Sequence, residues 1–101
     1  MKTRLELHEK LVELIGNKNV YYQPPTNLMM KYPCIRYRQT AVHKRHADNK
    51  TYTLHKTYEI IVLSKEPDHP AIDGILELPY TSFVNNYASD GINHTVLSIT
   101  I

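Results

Sequence analysis

The sequence predicts an α+β domain: one mostly antiparallel sheet of about five strands, with two helices packed on one face. Three observations predict it. A capped amphipathic helix opens the chain, a long pair of alternating strands runs from Tyr32 to Lys65, and a second hairpin turns at Asp90-Gly91. At 101 residues the chain reads as a single domain, residues 1–101, with one modest core.

Residues 3–15 follow helical spacing. Thr3 and Glu6 form a capping-box pair, and Gly16 suits a left-handed cap. Leu7, Leu11, Leu14 and Ile15 make an apolar stripe, which Val12 widens. Glu6, Glu9, Lys10 and Glu13 cover the polar face, with Glu6 and Lys10 spaced as an i,i+4 pair. His8 reads as a solvated residue at the edge of the stripe. Asn17-Lys18-Asn19 turns the chain into a short strand, Val20 to Gln23. Pro24-Pro25 stops that strand, because neither residue can donate to a ladder. Thr26 to Lys31, with Leu28, Met29 and Met30, reads as a loop covering the core or a neighbouring subunit.

The long hairpin reads as a strand from Tyr32 to Val42, a charged tip from His43 to Lys50, and a strand from Thr51 to Leu63. Alternation places Ile35, Tyr37, Gln39 and Ala41 on one face. Cys34, Arg36, Arg38, Thr40 and Val42 fall on the other. Apolarity rises towards Tyr58-Glu59-Ile60-Ile61-Val62-Leu63, so the base is expected to be central and the outer half to project. After a loop from Ser64 to His69, Pro70 opens a short helix capped by Asp68 or His69. Its apolar residues are Ile72, Ile75, Leu76 and Leu78; Gly74 weakens it by about 1 kcal/mol relative to Ala. The last strands are Thr81 to Tyr87 and Asn93 to Ile101, joined at Asp90-Gly91, a strong hairpin-turn signal.

Chemistry-bearing patterns are sparse. His43-Lys44-Arg45-His46 has two histidines three apart, but its cations repel a metal and Asp48 is the only acid nearby. Cys34 is the single cysteine, matches no nucleophile pattern and reads as a small buried residue. Three scattered glycines make no phosphate loop, and the carboxylates form no acid–base pair. These residues point away from an enzyme and imply no cofactor. A formal charge of +2 is too small to argue for nucleic acid by itself. No apolar run reaches signal-peptide or membrane-spanning length, so the expectation is folding in a cytoplasm without a membrane.

One local pattern stands out. Arg36, Arg38, His43, Lys44, Arg45, His46 and Lys50 gather in the hairpin against Asp48 alone. Such a basic β-arm can dock on the acidic surface of an identical neighbour, enter a nucleic-acid groove, or be a solvated tip that protects edge strands. Glu59, Glu66, Asp68, Asp73 and Glu77, mostly in the later half, offer complementary charge. Docking on a neighbour is the preferred reading, with Arg36, Arg38, His43, Lys44, Arg45, His46, Asp48, Lys50, Pro24, Pro25 and Met29 as candidate interface residues.

The chain also resembles a family. The carriers are Pro24-Pro25, Tyr32-Pro33-x-Ile35, His46-Ala47-Asp48-Asn49 and Tyr58-x-Ile60-x-Val62. To these are added Leu78-Pro79, Phe83 and Asp90-Gly91-Ile92-Asn93-His94. In this order they are similar to the tail terminator, or tail completion, proteins of long-tailed bacteriophages, particularly those of Gram-positive hosts. The resemblance spans nearly the whole chain and rests on structural motifs. It implies a hexameric ring that caps the tail tube, contacts the major tail tube protein and joins the head-completion or connector protein, with DNA passing through the lumen unbound. It implies a place in the virion neck after assembly in the host cytoplasm. A head-side stopper or adaptor is the alternative within the same class, and a small nucleic-acid-binding protein the alternative outside it.

Overall fold

The structure, a computed structural model, describes residues 3–25, 31–47 and 50–101, with backbone alone at 46, 47 and 50–53. The order is α1 (Arg4–Ile15), β1 (Val20–Tyr22), β2 (Cys34–Ala47), β3 (Lys50–Ser64), α2 (Pro70–Leu76), β4 (Thr81–Ser89) and β5 (Ile92–Thr100). The strands form one five-stranded sheet in the order β1-β2-β3-β5-β4. The α+β expectation is met. Every pair is antiparallel except β1 with β2, which run parallel.

Local chemistry sets the boundaries. Thr3 caps α1, its side chain accepting from the Glu6 amide, and Gly16 ends the helix at φ 79°. His69 caps α2 through its ring, which accepts from the Ala71 amide, and Pro70 takes the first turn. Asp90 and Gly91 both have positive φ, 53° and 77°, as a tight hairpin turn between β4 and β5 requires.

Both helices pack on one face. Leu7, Leu11 and Ile15 of α1 and Ala71 and Ile75 of α2 bury against Ile35, Tyr37, Tyr58, Ile60, Val62, Leu97 and Ile99. Leu76, expected on the packed face of α2, is exposed, and Ala71 is buried in its place. The helix is too short for a wide stripe, and its buried side is set by Ala71 and Ile75, four apart. Gly74 lies where the helices meet: a Cβ there would approach Leu14 Cδ2 to 2.7 Å. The opposite face carries a smaller cluster of Cys34, Ile61, Leu63, Ile92 and Val96, with Tyr21 against it.

Two expectations about the long hairpin are corrected. The charged tip is not a long loop: His43, Lys44, Arg45, His46 and Ala47 pair with His55, Leu54, Thr53, Thr51 and Lys50. Polar residues break a buried strand but not a ribbon solvated on both faces, so polarity was no sign of a turn here. The alternation also breaks. Gln39 pairs with Tyr58 and Ala41 with Thr57, leaving Thr40 as an extra residue in a β-bulge. Beyond it Ala41 joins the face of Arg38, and Val42 joins the other, the reverse of the simple period-2 reading.

His8 is corrected as well. It is half-buried, and its Nδ1 lies 2.7 Å from the Tyr37 hydroxyl. The same hydroxyl accepts from Arg4 Nη1 at 3.3 Å. Helical spacing alone could not reveal a partner on a strand far along the chain.

Candidate functional site

β5 gives out where the hairpin continues. Lys56 and Ile101 exchange backbone bonds of 2.9 and 3.1 Å, and beyond them no described strand covers the edge of β3 that faces away from β2. On the other side β1 covers β2 only from Ile35 to Tyr37. From the Val42–Lys56 pair outward the hairpin is therefore a two-stranded arm, and it accounts for the elongated 52 × 29 × 23 Å shape.

A small network holds the root of the arm. Thr57 Oγ1 lies 2.9 Å from Thr100 Oγ1 and 3.2 Å from His43 Nε2, while Thr40 Oγ1 donates to the Thr57 carbonyl. On the helix side, Tyr37 and Tyr58 are buried beside half-buried Tyr22, and Arg4 lies 4.3 Å above the Tyr22 ring centroid. Burial pushes both the Tyr37 and Tyr58 hydroxyls up from their ordinary pKa, with the Arg4 hydrogen bond opposing it at Tyr37.

The helix-free face carries part of the basic set, while Lys44 and Lys56 lie on the other face. Arg36, Arg38, His43 and Arg45 share the helix-free face along β2, with His55 and Glu59 on β3. A groove of about 500 Å³ runs past Gln23, Pro24, Arg36, Arg38 and Glu59. Arg38 Nε donates to Glu59 Oε1 at 3.2 Å, an exposed pair worth at most about 1 kcal/mol. Arg36 Nε is buried and makes no hydrogen bond. Gln23, at the mouth of the groove, is held at φ 45° and donates its amide to the Tyr37 carbonyl.

Of the predicted site residues, Arg36, Arg38 and Pro24 meet in this groove, while exposed Pro25 follows it. Lys44 and Arg45 are exposed along the arm; His43 is exposed and bonded to Thr57. His46 and Lys50 have backbone positions in the ladder. Met29 and Asp48 lie outside the described residues. Among the described residues, no three His, Cys, Asp or Glu gather as a metal site. Cys34 is fully buried, and burial lifts its thiol to about 11. No described helix is long and apolar enough to cross a membrane.

Sequence reasoning missed the far edge of the sheet. β4 is exposed along nearly its whole length, with Phe83, Val84 and Tyr87 each about half exposed. Its sequence, TSFVNNYAS, holds no charged residue. That absence was the available signal. No protein-family model and no curated protein matches this chain.

Proposed function

We propose that this chain is a structural subunit of a bacteriophage virion, a tail terminator or completion protein that assembles into a ring, hexameric by resemblance. The ring caps the tail tube and presents a surface to the head connector. The observation that carries this reading is the arm: a two-stranded ribbon projecting from a small domain, basic on both faces, with His43 and Arg45 on one and Lys44 and Lys56 on the other. A solvated ribbon of this length makes little of the domain's core, so its place is against a neighbour. Light scattering and negative-stain imaging of the purified chain, alone and with the tail tube protein, test the proposal. Rings are expected; monomers under every condition would overturn it.

A second reading has its own support. Arg36, Arg38, His43 and Arg45 form a cationic ridge on a β-ribbon, a shape that fits a nucleic-acid groove. A DNA mobility shift that weakens steeply with salt would favour this reading, and no binding at low salt would remove it.

A further inference from the structure

The charges of this chain are partitioned in sequence and in space. Residues 1–65 hold all twelve Lys and Arg against five acids, a formal +7; residues 66–101 hold five acids and no Lys or Arg, a formal −5. The first segment builds α1, β1, β2 and β3, and the second builds α2, β5 and β4. In the order β1-β2-β3-β5-β4, the cations thus lie on the α1 and β1–β3 part of the molecule, while the acids of the second segment sit in the loop before α2, at α2 and in the β4–β5 turn, with β4 and β5 themselves uncharged.

Both sides offer backbone. The outer edge of β4 has no partner among the described residues over nine positions, and neither does β2 from Gln39 to Ala47. Soluble proteins blunt such edges with charge, proline or brevity. β2 follows that rule with Lys44 and Arg45. β4 carries one bulge, at Val84, but is otherwise long and uncharged and exposes Phe83, Val84 and Tyr87. An edge of that kind fits a strand that is covered in the working assembly.

We infer that β4 of one copy pairs with the uncovered edge of β2, Gln39–Ala47, of the next, continuing the sheet from subunit to subunit. The occupant is a second copy because the molecule carries both halves of a charge match: acids of α2 and the loop before it, beside β4, and Lys44 and Lys56 on the same, helix-side face of the arm. The contact is heterologous, as a ring requires. Strand direction is fixed too. β4 runs opposite to β2 within the sheet, so neighbours that present the same face pair antiparallel. β4 lies level with β3 from Tyr58 to beyond Ser64, whereas the free edge of β2 lies outward of Tyr58. Neighbours are therefore offset along the strands, and the sheet tilts to the ring axis as strands tilt in a closed barrel.

This inference rests on the ring reading, and the test separates the two. Hydrogen exchange is measured on the full chain as monomer and as assembly, beside the double variant Val84→Lys/Asn86→Lys, which places edge-blocking charges at two exposed positions. The expected result is slowed exchange in both β4 and residues 39–47 on assembly. The variant is expected to have native circular dichroism and to lose its rings at concentrations where the parent forms them. A variant that assembles like the parent overturns the inference and leaves the ring standing. So does protection confined to β4, which would mark a twofold β4–β4 dimer. Should the variant not fold, the exchange pattern of the parent decides alone. A parent that never assembles overturns the ring reading, and this inference with it.

Discussion

At the residue scale, the Tyr37 hydroxyl adds a polar tie between helix and sheet to their apolar contacts. It lies within hydrogen-bonding reach of His8 Nδ1 and Arg4 Nη1, and its ring packs among Tyr22 and Tyr58. Tyr37→Phe keeps the ring and removes the hydroxyl, so a loss of about 1–2 kcal/mol is expected in urea unfolding. Cys34 sets a pH dependence. The folded state holds its proton to about 11, against an ordinary value of 9.0. Below the lower value both states are protonated and the thiol has no effect. As pH rises through the interval only the unfolded chain loses the proton, so stability falls. Tyr37 and Tyr58, also raised, act in the same direction at higher pH. Cys34→Ser should flatten the first part of an alkaline stability profile. Burial of Cys34 was legible from its strand and neighbours; the His8–Tyr37 contact was not, because it joins residues far apart in sequence.

At the element scale, caps and turns were the most legible features. Thr3, Gly16, Pro70 and Asp90-Gly91 each act through backbone geometry confined to a few residues, which sequence displays directly. Gly74 shows the limit of such reasoning. Propensity alone makes it a defect, yet it sits against Leu14, where a Cβ would come within 2.7 Å. Gly74→Ala should therefore be nearly neutral or destabilising in the parent. In a Leu14→Ala background it should stabilise by about 1 kcal/mol, because only helix propensity then remains. A double-mutant cycle by chemical denaturation measures that coupling. Strand ends in the arm were illegible for the opposite reason: where both faces are solvated, no hydrophobic pattern marks where pairing stops.

At the scale of the whole molecule, the fold class followed from the sequence of elements, while the candidate site followed only in part. The basic arm was visible as a run of residues; the groove at Arg36 and the bare β4 edge depend on strand order, which a linear pattern does not carry. In the proposed ring, the charge partition gives assembly a salt dependence. Raising ionic strength from about 0.1 M to about 1 M should shift the monomer–oligomer balance towards monomer in sedimentation, since screening acts on the exposed charges. Lys44→Glu/Arg45→Glu should produce the same shift without salt and leave the melting temperature nearly unchanged, both residues being exposed. The bulge at Thr40 bears on aim more than on chemistry. Ala41 pairs with Thr57 whether or not Thr40 is present between it and Gln39, so deleting Thr40 leaves His43 and Arg45 on their own face. What the deletion removes is the extra local twist that a bulge imposes. The shortened chain should fold, keep every cation, and point its arm elsewhere. In that sense Thr40 works like the set of a rudder: a variant with intact charges and no rings would separate the direction of the arm from its composition.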